Sequence, residues 1–489
     1  MCSSRASRAT DPLDIKHTDD DRRLALLLAG LGFALLLGTL FAAFVLPQSP
    51  GRTGQPSVDL IPALPLWSLA VALPLDVPRD GATLARALLA TSVIHFAAYG
   101  MAIYLAWRRP AGRLSLSVAV AAALACYLVA ACALPNVNRD IFNYILSGRV
   151  AAAHGQNPHY VPPSMFPDDP LYRYASSQYT GFPGDNKLPA WTLLNVGLAR
   201  IAGDDPATSL LLYRATFLLF NVANVVLIVR TLRVVQPRRE LAGALLYAWN
   251  PIVIGYAQSK VDTVMVFFLL LAAYWLARGR RGPAIAALAV SALVKLITLP
   301  LAAVYWLHQL RARDWRGLAA TTLLLGATSA ALYAPFWQGP DLLWTHVGLL
   351  GGGKSLGPQL FQLAARGAFV AAVLWAAWRQ DGRIAGLFSG WALVMLVFAL
   401  FLTRLGFSWY LMTLIALAAL AAERYLTAIT IAVSFASFLL NAWDAASSAT
   451  FRLPKPLALP RASLYLAFVS VVVLAAVAFE MLRRARRRI

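Results

Sequence analysis

Four ionisable side chains sit where a hydrophobic chain tolerates charge poorly. Asp140 lies in Asn138-Arg139-Asp140-Ile141-Phe142-Asn143-Tyr144, a polar insert between apolar runs; Lys260 and Asp262 close another apolar run, and Lys295 interrupts a third. Charge at membrane depth costs free energy unless it has partners or chemistry to do, so each is a candidate functional group. A carboxylate such as Asp140, at the mouth of a span, could accept the proton of a substrate hydroxyl. It could equally be a first-turn acid that complements a helix dipole.

Lys295 must snorkel, pair with a carboxylate, bind carbonyls freed near Pro300, or meet an anionic ligand such as a phosphate. Arg404 has the same options, and its place near a span end gives simple snorkelling equal weight. Lys260 and Asp262 are two residues apart and do not share a helix face, yet either could line a cavity. Asp262 could also open the next helix. Trp409-Tyr410 could stack on a sugar ring or a prenyl unit, or belong to an interfacial aromatic belt. Arg139, Tyr144, Arg149, Asn157 and His159 are candidates through their proximity to Asp140.

No metal centre is indicated. The six histidines show neither HExxH nor Cys-His spacing. Gly351-Gly352-Gly353-Lys354-Ser355 lacks the spacing and the preceding strand of a phosphate loop. No tightly bound cofactor is expected.

The elements that position these groups follow from composition. Of 489 residues, 59% are hydrophobic and 13% charged, which excludes an ordinary soluble domain and implies a polytopic membrane protein. Apolar windows such as Leu24 to Phe44, Ala85 to Trp107, Leu114 to Leu134 and Ala462 to Phe479 reach the roughly 20 residues that cross a bilayer core. The net charge of +21 is spread over small clusters between spans, so it argues against nucleic acid as a partner. By the positive-inside rule those clusters, and both termini, are cytoplasmic. Cys2, Cys126 and Cys132 read as free thiols.

The expected fold is therefore all-α, a polytopic transmembrane helical bundle of about 12 to 14 helices. A disordered cytoplasmic tail, residues 1–21, precedes a single membrane domain, residues 22–489. The insert at about 136–187 is extracytoplasmic, with a short interfacial helix over Ile141 to His154 that stops at Gly155, then a Pro- and aromatic-rich loop. A pair of short helices turning at Pro300 is expected around Lys295. The Asp140 and Asp262 segments then converge on one face. No internal repeat is visible, which weakens a reading as a transporter with duplicated halves.

The motifs also carry a resemblance. Asn138 to Tyr144, Ser147-Gly148-Arg149 and Gly155-Gln156-Asn157-Pro158-His159-Tyr160 resemble the first external loop of GT-C superfamily glycosyltransferases, especially bacterial polyprenol-phosphate-mannose-dependent alpha-mannosyltransferases. Asn250-Pro251 with Gln258 to Asp262, Ser291 to Pro300, and Phe407 to Leu411 follow in the family's order. The chain departs from the family at Ser259-Lys260-Val261-Asp262, where relatives often carry a His-Asn-Asp-like segment, and near Lys187-Leu188-Pro189. The resemblance implies a GT-C bundle with extracytoplasmic juxtamembrane helices in the bacterial cytoplasmic membrane. It further implies a polyprenyl-phosphate sugar as donor, a cell-envelope glycan or glycolipid acceptor, Asp140 as catalytic base and Lys295 as a donor-phosphate contact. It makes the Asp262 and Trp409-Tyr410 segments parts of the pocket. A transporter or flippase of lipid-linked or anionic substrates is the alternative.

Overall fold

The structure is a computed structural model that describes residues 12–45, 81–109, 111–132, 140–175, 180–181, 187–348, 359–380, 382–447 and 465. Among these residues all regular structure is helical. Helices α1 (Pro12–Leu40), α2 (Gly81–Arg108) and α3 (Arg113–Cys132) precede the polar insert. The insert begins with α4 (Asp140–Ala152) and leads, through single 3-10 turns at Pro163–Met165 and Tyr172–Tyr174, to α5 (Pro189–Ala202) and the long α6 (Pro206–Val235). Then come α7 (Glu240–Ala248), α8 (Pro251–Tyr256), α9 (Asp262–Ala277), α10 (Arg281–Val294) and α11 (Leu299–Arg311). The described chain ends with α12 (Trp315–Tyr333), α13 (Asp341–Gly348), α14 (Gln359–Trp378), α15 (Ile384–Val397), α16 (Leu411–Ala421) and α17 (Arg424–Ser447).

Among the described residues seven stretches are long and apolar enough to cross a membrane, and four shorter apolar helices accompany them. Length and composition are thus those of a multi-pass helical bundle. The expected C-terminal span lies outside the described residues apart from Tyr465, as do Asn138, Arg139 and the Gly351 to Ser355 run.

Local sequence explains the boundaries. Asp205 accepts a hydrogen bond from the Thr208 amide at 2.7 Å with Pro206 behind it, and Asn250 accepts from the Ile252 amide at 3.0 Å ahead of Pro251. Both are N-caps followed by proline at the first helical position, where its missing amide hydrogen would have no helical partner. Gly155, at φ 64°, takes the left-handed conformation beyond α4.

Three expectations change. Helix α1 already begins at Pro12, inside the segment read as a disordered tail. The break near Lys295 is not at Pro300: α10 ends at Val294, Lys295 is extended at φ −160° and ψ 126°, and a 3-10 turn at Leu296–Thr298 follows. Pro300 sits in the first turn of α11, where its absent amide hydrogen has no helical partner to lose. Finally, α4 is not half exposed as an interfacial helix would be, because every residue from Ile141 to Val150 is buried.

Helix α4 is wedged between α5 and α6. Tyr144 meets Trp191 edge-on at 5.3 Å, and Trp191 stacks on Phe217 at 5.8 Å. The Asn195 amide donates to the Tyr144 carbonyl at 2.8 Å, and the Tyr213 hydroxyl donates to the Asn195 carbonyl at 3.1 Å. Gly148 permits this approach, since a Cβ there would stand 2.8 Å from the Asn195 carbonyl oxygen. Elsewhere the basic clusters gather. Arg281 pairs with Asp314 at 2.8 Å, Arg311 donates to the Trp378 carbonyl, and Arg239 and Arg424 lie over the Trp107 ring at 4.1 and 5.3 Å.

Candidate functional site

The site forms where α4, the α8–α9 turn, the α10 break and the approach to α16 meet. Asp140, the first residue of α4, accepts from the Lys260 ammonium at 2.5 Å. Lys260 is fully buried in the turn after α8, and its Nζ stands 3.6 Å from the centre of the Trp409 ring. Asp262, the first residue of α9, is 1% exposed and accepts from Lys295 Nζ through both carboxylate oxygens, at 2.8 and 3.1 Å. The Lys295 ammonium in turn lies 3.8 Å from the centre of the Tyr410 ring. Two carboxylates, two ammoniums and two aromatic faces therefore alternate in one cluster, within which the formal charges cancel.

Each side chain is placed by a local device. Because α10 breaks at Lys295, its side chain leaves the helix surface and reaches Asp262; Ser291 secures the break by donating to the Met265 carbonyl at 2.8 Å and meeting the Thr298 hydroxyl at 3.1 Å. Trp409 and Tyr410 belong to a 3-10 turn at Ser408–Tyr410. Ser408 fixes that turn to α17 through Ser437 at 2.9 Å and Asn441 at 2.7 Å. Tyr256, at the end of α8, supports the Trp409 ring at 5.8 Å. A cation over an aromatic face is attracted by the ring quadrupole, most strongly where water is excluded. Of the four charged groups, Asp140 keeps the most solvent contact, with 21% of its side chain exposed.

The structure thus brings together Asp140, Lys260, Asp262, Lys295, Trp409 and Tyr410. Asp262 fills two roles at once, opening α9 and pairing with Lys295. Arg404 lies in a left-handed turn with Leu405, at φ 51° and 55°, shortly before the Trp409 segment.

The remaining candidates are placed elsewhere. Arg149, at the far end of α4, is buried and bonds Asp169 at 2.8 Å, Asp204 at 2.7 Å and the Gly203 carbonyl at 2.6 Å. His154 joins Asp169 at 2.9 Å. This network clamps α4 to the following loop and to the α5–α6 turn. Tyr144 is part of the aromatic wedge already described. Asn157 donates to the Phe336 carbonyl at 2.8 Å and accepts from the His159 amide at 3.1 Å. His159 packs edge-on against Phe336 at 4.9 Å and His346 at 5.1 Å, and the Tyr333 hydroxyl meets His346 Nδ1 at 2.9 Å. Burial pushes the His159 imidazole down to about 3, with the neighbouring His346 adding to the effect, and burial pushes His346 down to about 4. Both rings are therefore neutral near pH 7, and this pair joins the loop after α4 to α12 and α13.

Sequence reasoning missed Tyr256, Ser408 and Asn195, which support the site without bearing charge. It also missed Asp169 and Asp204. Asp169 stands beside the exposed Asp168 in the chain, and nothing local distinguishes the two.

Among the described residues, no group of three or more His, Cys, Asp or Glu could hold a metal ion. What the cluster offers is a carboxylate with some access to solvent, two ammoniums suited to an anion, and two rings suited to an apolar or sugar face. Comparison with protein-family models, with curated proteins and with solved structures gave no match, so the functional reading of this site rests on its own residues and geometry.

Proposed function

We propose that this chain is an inverting glycosyltransferase of the bacterial cytoplasmic membrane. It moves a sugar, in the first instance mannose, from a polyprenyl-phosphate donor to a hydroxyl of a cell-envelope glycan or lipid. The observation that carries this reading is the alternation of Asp140–Lys260 and Asp262–Lys295 under the Trp409 and Tyr410 rings. An ordinary structural ion pair needs no second pair and no aromatic cover, and replacing such pairs by apolar residues is often stabilising. The resemblance of the Asn138 to Tyr160 segment to GT-C enzymes points the same way.

In this scheme the donor phosphate draws on the two ammoniums. As Lys260 turns toward the phosphate, its ion pair with Asp140 weakens and the carboxylate becomes able to take the acceptor proton. The acceptor oxygen attacks the anomeric carbon from the face opposite the phosphate. The new C–O bond forms, the bond to the phosphate oxygen breaks, and the electron pair leaves with the polyprenyl phosphate. Lys260 and Lys295 stabilise the charge that develops there. Trp409 or Tyr410 supports the sugar face, while the prenyl tail stays in lipid. On the positive-inside rule the basic pole and both termini are cytoplasmic, and the reaction faces outward.

The test is sugar transfer by purified protein in liposomes, with polyprenyl-phosphate-mannose and a panel of acceptors. The Asp140→Asn variant is expected to lose at least about a hundredfold in rate, the scale of one positioned acid–base group, while still binding donor. Unchanged turnover in the folded variant would remove Asp140 as the base. A neutral buried cluster also suits passage of an anionic substrate; donor moved between leaflets without transfer by wild type would favour that second reading.

A further inference from the structure

A cavity separate from the Asp140 cluster has the shape and charge of a lipid site. Between α3 and α6 runs an apolar groove of about 270 Å³, walled by Val120, Leu124, Val222, Val226 and Val229, with Tyr127 on its floor. At one end it reaches Arg230 and Arg233, and from Leu116 and Arg233 it continues into a polar cleft of about 540 Å³. Arg113, Ser117, Glu240 and the Gly112 backbone complete that cleft.

Helical spacing separates this groove from the functional cluster. On α6, successive residues turn by about 100°, so Val222, Val226, Val229 and Arg233 share one face while Asn221 and Asn224 lie on another. The asparagine face turns inward: Asn224 donates to the Tyr247 hydroxyl at 2.9 Å and to the Thr263 carbonyl at 3.2 Å. The valine face turns to α3 and outward. Val120, Leu124 and Val226 are 37%, 39% and 46% exposed on two helices that are each long and apolar enough to span a membrane. Among the described residues no carboxylate pairs with Arg113, Arg230 or Arg233, all of which are exposed, and Glu240 is the single acid in the cleft.

We infer that the groove and cleft bind one anionic phospholipid, an acyl chain lying along the valines and the phosphate held by Arg113, Arg230 and Arg233. Three cations against Glu240 and the adjacent Asp21, whose carboxylate is held by the Gly112, Leu114 and Ser115 amides, leave a net positive head site, and the apolar slot opens from it sideways, as a lipid but not a free anion requires. Juxtamembrane cations attract anionic headgroups, each arginine supplying roughly fivefold in affinity and three together about a hundredfold.

The test uses the full chain purified in a neutral detergent, with lipid retention followed by native mass spectrometry and thermal unfolding. Phosphatidylglycerol is expected to be retained and to raise the melting temperature, whereas phosphatidylcholine and inorganic phosphate are not. R113Q/R230Q/R233Q changes only exposed side chains, so it should fold, and it is expected to weaken phosphatidylglycerol retention by about a hundredfold. Val226→Trp, which fills the groove and leaves the arginines in place, should weaken it as well. Equal retention of phosphatidylcholine and phosphatidylglycerol, or an unchanged triple variant, overturns the inference. Stabilisation by inorganic phosphate equal to that by the lipid, or undiminished lipid binding by Val226→Trp, also overturns it by making the site one for a free anion.

Discussion

At the scale of single residues, the Asp140–Lys260 pair confounds structure with chemistry unless the two are separated. Lys260 is fully buried, so removing Asp140 strands an ammonium; breaking a buried pair costs about 3 to 5 kcal/mol. The Trp409 face and nearby Asp262 soften that cost without cancelling it. Asp140→Asn is therefore expected to melt lower than wild type, and Asp140→Asn with Lys260→Met to regain most of the loss in thermal unfolding. Sugar transfer should stay absent in both. Recovered transfer in the double variant would mean that Asp140 serves only to neutralise Lys260. Sequence alone singled out Lys295, because a cation inside an apolar run needs an anionic partner. It could not name that partner: Asp262 is 33 residues away, and Lys260 and Asp140 are 120 apart. Such pairings are set by helix packing, which no local window carries.

At the scale of elements, α4 presents Asp140 at one end and is gripped at the other. Its existence was legible from spacing, and Gly155 takes the left-handed conformation of a stop signal, although the helix itself ends earlier, at Ala152. Its burial was not legible, because the partners that cover it, α5 and α6, begin well beyond the loop. Likewise the interruption near Lys295 was legible, but its position was displaced toward Pro300, since proline marks both helix breaks and helix starts. The loop after α4 is docked through His159 and His346, which gives it a pH dependence. Both imidazoles titrate lower in the folded chain than in the unfolded one, so below about 6.5 the unfolded state binds the extra protons. The stability they contribute is complete above that pH and declines as pH falls toward 4 and 3. Melting temperature is thus expected to drop between pH 6.5 and 4, and to drop less steeply in His159→Leu. Parallel curves for wild type and variant would show that His159 does not report the docking.

For the whole molecule, the membrane class was legible because hydropathy sums over about 20 residues at a time. The shorter helices α9, α10 and α16 were harder, since each falls below a full span and owes its place to the site that it meets. They also set a distance: α16, with 11 residues, leads from Tyr410 to Ala421, whose carbonyl accepts from Gln236 at the basic pole. At 1.5 Å per residue that is about 16 Å, so the cluster sits well inside the bundle. Sidedness can be tested with single cysteines at the exposed Asp168 and Arg238, in a background lacking Cys2, Cys126 and Cys132. A membrane-impermeant maleimide is expected to label Asp168→Cys in intact cells and Arg238→Cys only after permeabilisation; equal labelling of both would refute the assigned orientation. The cancellation of charge between two aspartates and two lysines has an electrical consequence. A single cation moved across the full membrane field exchanges about 2.3 kcal/mol of work per 100 mV, but a neutral quartet that shifts as a unit exchanges none. Voltage imposed across proteoliposomes should then leave the resting cluster untouched and act only on the charge that a ligand brings with it.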